Sequence, residues 1–346
     1  MSDDYLWDGK GKPDPKVQEL ETLLSTLRLQ APAPDFSRVV VPEIVPRKAP
    51  WRIFATRRIL AAVTALAAVV FVIVFARSSL QRRASYPVVS LNGAPRIGAK
   101  QIEEAGRLSV GQWLETDASS RARISIGDIG QVEVDPNTRI GLTLARPTEH
   151  RLSLQRGVMH ALIWAPPGRF YVATPSAVAA DLGCAYTLEV DPNGAGLLTV
   201  TMGWVAFERD GREAFVPAGA QCATRPGVGP GTPYQEDAST NFRAALAQLD
   251  FQPAGKGSRF EALNSVLAEA RQKDALTLWH LLFSANEDER RLVYDRLAIL
   301  VPPPGGVTRA GILGRNQGML DLWWDALGLG DTNWWRMWKR PWPSSR

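Results

Sequence analysis

Arg121-Ala122-Arg123-Ile124-Ser125-Ile126, Arg139-Ile140-Gly141-Leu142-Thr143-Leu144 and Arg151-Leu152-Ser153-Leu154 alternate polar and apolar residues. That is the period of a strand with one buried and one solvated face. From about residue 86 to 224 such short runs recur every eight to twelve positions. Turn chemistry separates them: Asp135-Pro136-Asn137, Arg156-Gly157, Pro166-Pro167-Gly168, Asp191-Pro192-Asn193-Gly194, Asp210-Gly211 and Pro217-Ala218-Gly219. The pattern predicts an all-β domain, mainly antiparallel, closed as a sandwich, a jelly-roll-like barrel or a short β-helix.

Upstream, residues 59–76 are 18 consecutive apolar positions broken only by Thr64. As a helix they extend about 27 Å, close to the thickness of a bilayer's hydrocarbon core. Arg57, Arg58 and Arg77 bracket the run as interfacial anchors do. The expected fold class is therefore a single-pass transmembrane protein with the β domain, followed by an α-helical C-terminal region. Arg47, Lys48, Arg52, Arg57 and Arg58 precede the span and Arg77, Arg82 and Arg83 follow it. This bias puts the N-terminus inside and the large C-terminal portion outside, which in a bacterium means the periplasm.

Residues 1–36 form the expected cytoplasmic head. Asp14-Pro15 reads as a helix start, and Val17, Leu20, Leu23, Leu24 and Leu27 make one apolar stripe. A lone helix of that length is marginal in water, so the stripe is a candidate partner-binding face, with packing on Tyr5-Leu6-Trp7 as the alternative. Residues 37–58 are a Pro- and Arg-rich tether that anionic lipid would attract.

After a Gly/Pro linker at 225–236 the period becomes helical, and residues 237–346 are expected to be an α-helical, Trp-rich region. Ser258-Arg259-Phe260-Glu261 and Ser284-Ala285-Asn286-Glu287 read as capping boxes, and Asp274 as a cap. Six of the twelve tryptophans lie beyond residue 322. Trp323 and Trp324 read as core. Trp334, Trp335, Trp338 and Trp342, interleaved with Arg336, Lys339 and Arg340, are a candidate interaction surface for a bilayer, a partner or a glycan.

The 346 residues, 45% hydrophobic and 22% charged, exclude wholesale disorder. A net charge of +5 dispersed along the chain argues against nucleic acid as partner. Two cysteines and three histidines match no zinc spacing, and no cofactor or catalytic motif appears. His160 and His280 read as satisfied core or boundary histidines. Cys184 and Cys222, in an oxidising compartment, are a possible disulfide, with two buried thiols as the alternative.

The order Val110-Gly111-Gln112-Trp113-Leu114-Glu115-Thr116, Val134-Asp135-Pro136-Asn137-Thr138-Arg139-Ile140, Leu152-Ser153-Leu154-Gln155-Arg156-Gly157 and Phe170-Tyr171-Val172-Ala173-Thr174-Pro175 resembles the FecR domain. The likeness continues through Gly183-Cys184, Met202-Gly203-Trp204-Val205 and Pro217-Ala218-Gly219, covering about 110 to 222. It implies a periplasmic β-rich signalling domain in a non-catalytic, single-pass inner-membrane regulator. Such regulators relay an envelope signal to an extracytoplasmic-function sigma factor through the cytoplasmic head. An unknown periplasmic protein or ligand would supply the signal. The alternative is a membrane-tethered binding or adhesion module for cell wall, glycan or protein, with no transcriptional role.

Overall fold

The computed structural model describes residues 15–25, 85–252 and 255–330. The chain divides into two units, 1–66 and 67–346. In the first, helix α1 (Pro15–Ser25) begins at the expected proline. None of its residues is buried, and Leu20, Leu23 and Leu24 are exposed. Leu27, the tether, the apolar run 59–76 and Trp334, Trp335, Trp338 and Trp342 lie outside the described residues. Among the described residues, no helix is long and apolar enough to cross a membrane.

The second unit opens with strands β1 (Ser85–Asn92), β2 (Arg96–Ile97), β3 (Lys100–Gln101), β4 (Ala105–Ser109), β5 (Trp113–Glu115), β6 (Arg121–Ile126), β7 (Gly130–Val134) and β8 (Arg139–Arg146). Next come the long β9 (Glu149–Ile163), β10 (Phe170–Ala173), β11 (Val178–Asp181), β12 (Ala185–Val190) and β13 (Gly196–Met202). The β region closes with β14 (Trp204–Arg209), β15 (Arg212–Pro217), β16 (Ala220–Arg225), β17 (Gly229–Pro230) and β18 (Tyr234–Gln235).

Pairing sorts these strands into two sheets. The first runs β4-β1-β6-β7-β9-β12-β13-β16, with β17 and β18 on β16. The second runs β3-β2-β5-β8-β9-β10-β11-β14-β15. All described pairings are antiparallel except β9 with β10. Alternating apolar side chains of both sheets, among them Ile124, Val132 and Leu188 from one and Leu142, Leu152 and Phe207 from the other, share one core.

The two sheets share β9. Its first half pairs with β8 through Arg156, and its second half pairs with β12 from Gly157 onward. Arg156-Gly157, read from sequence as a turn, is instead where this one strand changes sheet. Gly157 has φ +95°, and Thr138 closes the corner: the Val158 N–H donates to Thr138 Oγ1 at 2.9 Å. Only a residue without a Cβ can bend a strand there while another chain segment packs on it.

Helices α2 (Thr240–Phe251), α3 (Lys256–Glu269), α4 (Ala275–Ser284), α5 (Glu287–Leu300), α6 (Arg309–Leu313) and α7 (Gln317–Ala326) follow. The expected Gly/Pro linker is largely built into the fold: Gly229 to Pro233 are buried, and β17 and β18 pair with β16. Asp250 of α2 holds this segment by accepting from Thr232 N at 2.7 Å and Thr232 Oγ1 at 2.9 Å. Glycine and proline are used here for close approach, since a Cβ on Gly231 would come within 2.7 Å of the Phe251 ring. Two helix starts also differ from the reading. Asn286 is the cap that forms a box with Glu289, while Ser258 lies inside α3, whose N-cap is Gly255. Asp274 is the N-cap residue of α4, as read, although its carboxylate accepts from Arg271 N rather than from the helix's own first turn.

Candidate functional site

Where β14 and β15 end their sheet, the helices dock on them through aromatic side chains. Trp324 of α7 is fully buried, with its ring centroid 4.5 Å from that of Trp279 and 5.7 Å from that of His280, both on α4. It also lies 5.9 Å from Trp204 of β14 and 6.3 Å from Phe215 of β15. One indole therefore touches both sides of the junction. The amphipathic spacing of α7 aims Leu320, Trp323 and Trp324 inward, as expected for Trp323 and Trp324.

A polar contact fixes the register of this junction. His280 Nδ1 bonds the carbonyl of Leu276 at 2.8 Å, so Nδ1 carries the proton and Nε2 accepts from Phe215 N at 3.1 Å. A backbone donor at the sheet is thereby satisfied by a helix. Burial holds the imidazole pKa down to about 4, which keeps Nε2 free to accept. Thr277 Oγ1 donating to the Pro233 carbonyl at 2.8 Å adds a second tie from α4.

A buried carboxyl, thiol and phenol meet where the chain crosses from β11 in one sheet to β12 in the other. Asp181 Oδ2 accepts from Cys184 Sγ at 2.8 Å and Oδ1 from Gly183 N at 2.7 Å. Desolvation outweighs those bonds and pushes the Asp181 carboxyl up to about 7. Burial and the neighbouring Asp181 push the Cys184 thiol upward. The Tyr186 phenol, buried beside them with no hydrogen-bond partner for its oxygen, is raised chiefly by burial.

The sign of the linkage follows. A carboxyl whose pKa is about 7 when folded and 3.8 as its ordinary value keeps a proton that the unfolded chain releases. Its favourable contribution is complete below about pH 4 and is lost as pH rises through about 7. Urea denaturation at pH 5 and pH 8 should show wild type losing on the order of 3 kcal/mol from this group. Asp181→Asn should flatten that slope and be the more stable protein at pH 8. Parallel slopes for the two proteins would reject the assignment.

Of the two readings of Cys184 and Cys222, the structure has the pair of buried thiols, both of them free. Register explains why. Cys222 pairs with Leu198 and Leu198 with Leu188 of β12, so Cys184, just before β12, lies two strands away and four positions back along the chain from Leu188. At about 4.8 Å between strands and 3.3 Å per residue, the separation is roughly 16 Å, against the 7 Å limit for a disulfide. Cys222 Sγ instead donates to the Gly231 carbonyl at 3.4 Å.

On the outer face of the first sheet, His160 bridges Asp135 and Thr187, at 2.9 Å each. Asp135 also accepts from Arg121 at 2.7 Å, and Arg123 pairs with Glu133 at 2.7 Å. This is a partly exposed cross-strand network, where such pairs contribute little to stability. His160 thus sits at the boundary, as expected, while His280 is a core histidine. A shallow recess of about 320 Å³ lies between Val158, Glu189, Leu197, Ala223 and Arg225 on the same face. Among the described residues, no cluster of three or more His, Cys, Asp or Glu could hold a metal ion.

The described residues among the sequence-predicted sites belong to two different units. Val17, Leu20, Leu23 and Leu24 line α1 in the first unit, while Cys184 and Cys222 are core residues of the second. The Asp181 cluster escaped sequence reading, and of the junction only the burial of Trp324 was legible, not its meeting with Trp204 and Trp279. Their members lie far apart along the chain, and Asp181 has only the apolar run Val178-Ala179-Ala180 before it as a sign of burial.

The family model described as FecR protein matches residues 112–206, within the stretch whose motifs carry the resemblance. Two crystal structures of a candidate anti-sigma factor from Parabacteroides distasonis, at 1.65 and 2.50 Å resolution, are similar at 15% and 16% identity. The alignments cover 45% and 44% of this chain and 74% and 73% of those chains, each with a TM-score of 0.32. No curated protein matches the chain.

Proposed function

We propose that the chain is a non-catalytic, single-pass signal transducer of the bacterial inner membrane. Its C-terminal unit faces the periplasm, and its head controls an extracytoplasmic-function sigma factor. The FecR match over 112–206 carries this reading. The apolar run 59–76 supplies the span, and α1 supplies the output surface, with three leucines exposed on its apolar side. A periplasmic ligand or partner acts by binding one arrangement of the outer unit more tightly than another. Only such differential binding shifts what the head presents.

Burying an exposed leucine contributes about 1.5 to 3 kcal/mol, so Leu20→Asp with Leu24→Asp should lower affinity for the sigma factor at least about a hundredfold. The test is co-purification of the full chain with an identified sigma factor, alongside transcription from that factor's promoter. Loss of both in the double variant, at unchanged protein level, supports the relay. Unchanged transcription, with envelope binding retained, would instead indicate the tethered binding module.

A further inference from the structure

The chain enters the β domain at Ser85, and the strand registers show which other segments share that end. Val88 pairs with Ile124, Ile126 with Gly130, and Gly130 with Ile163. Ala185 pairs with both Leu162 and Met202. The start of β1, the 127–129 turn, the end of β9, the start of β12 and the end of β13 therefore lie along one edge of the sandwich. The Tyr86 hydroxyl bonded to His150 Nδ1 brings the start of β9 there as well. Gly157 and the 191–194 turn mark the opposite end.

This entry end carries an exposed apolar patch. Leu162, Trp164 and Pro166 alternate outward, with Leu162 at 37% and Trp164 at 61% exposure. Met202, at 53%, faces the same side, because Leu162 and Met202 both lie directly opposite Ala185. Trp164 Nε1 donates to the Asp128 carbonyl at 3.1 Å, which holds the indole in place with much of its ring outside. A single exposed apolar residue is ordinary, whereas a group anchored at one edge marks a contact surface.

Chain outside the described residues identifies the contact. Only eight residues, 77–84, separate the apolar run from Ser85, and they include Arg77, Arg82 and Arg83. Fully extended they reach about 30 Å at most, so with that run in a bilayer the entry end would stand close to the lipid surface. At the other terminus, Gly330 abuts Trp204, where an added Cβ would lie 2.8 Å from the indole. Trp204 is two residues beyond Met202, and the sequence after Gly330 continues with Trp334, Trp335, Arg336, Trp338, Lys339, Arg340 and Trp342. Amphipathic aromatic rings and cations of this kind partition to the level of lipid headgroups.

We infer that the entry end of the β domain rests on the outer surface of the lipid bilayer, with Leu162, Trp164 and Met202 seated at the headgroup boundary. The inference rests on the membrane-spanning reading of residues 59–76. It gives the domain one fixed face toward lipid and leaves the Gly157 end and the recess near Glu189 toward the periplasm.

The test uses the full chain in vesicles of phosphatidylethanolamine and phosphatidylglycerol. Nitroxide labels are placed in the variants Leu162→Cys, Met202→Cys and Asn193→Cys, the last at the opposite end; buried Cys184 and Cys222 leave unlabelled wild type as the control. Collision with a water-soluble nickel chelate should be several-fold lower at 162 and 202 than at 193, and collision with oxygen higher. Equal nickel collision at all three sites, with the chain still resistant to carbonate extraction, overturns the inference and leaves the span intact. Extraction by carbonate overturns both. Shielding at 162 that persists in detergent and disappears on deleting residues 331–346 assigns the patch to the chain's own tail and overturns the lipid contact.

Discussion

Trp324→Ala should destabilise the C-terminal unit by about 3 to 5 kcal/mol, the usual cost of removing a fully buried large aromatic side chain. The expected consequence is more than a lower midpoint. Trp324 is the ring that meets Trp204 and Phe215 on the sheet as well as Trp279 and His280 on α4, so its loss opens the junction from both sides. Limited proteolysis should then cut near β17 and α2, where the wild-type chain is protected by burial. Trp324→Phe is the informative companion. The indole Nε1 is buried without a hydrogen-bond partner, so the phenyl ring removes an uncompensated polar group together with part of the volume. It should cost much less than alanine and leave the protease pattern unchanged. A Trp324→Ala protein with wild-type denaturation and cleavage would show that the helices do not depend on this ring for docking.

Gly157→Ala should be nearly as damaging, although it adds a single methyl group. At φ +95° an L-residue is strained, and the new Cβ would stand 2.2 Å from Thr138 Oγ1 and 2.4 Å from Thr138 Cα. The second of these atoms is backbone, so a rotamer change cannot relieve it. Strain and overpacking each cost roughly 1 to 3 kcal/mol, for a total on the order of 4. In a unit of this size that lowers the melting temperature by about 10 °C. Gly211→Ala separates the two causes. Gly211 has φ +81° with nothing within 4 Å of the added Cβ, so only backbone strain applies there and the shift should be far smaller. Equal shifts for the two variants would mean that the corner at Thr138 is not tightly packed.

The positive φ of Gly157 also shows how far local reading reaches. Arg156-Gly157 was legible as a chain reversal signal, because glycine between two alternating runs usually is one. The runs on either side nevertheless belong to one strand, since β8 and β12 offer it partners in two different sheets. Likewise the glycines and prolines of 225–236 looked like a linker. Asp250, which fastens that segment through Thr232, is contributed by a helix that begins after it. The choice between a Cys184–Cys222 bridge and two buried thiols was open for the same reason: compartment and sequence separation permit a bridge, but register sets the distance.

What the sequence by itself determined is everything that depends on neighbours along the chain. The period of two fixed Arg121–Ile126 as a strand with the expected buried face, Pro15 started α1, and the outward leucines of α1 followed from their spacing. The FecR likeness belongs here too, being an order of short motifs along the chain. Tertiary structure alone decided which strands pair, that His280 accepts from Phe215, that Asp181 loses its water, and that Leu162, Trp164 and Met202 come to one edge. Side-chain alternation and helix spacing are set within a few residues, whereas burial and register arise only when segments distant in the chain compete for the same partners.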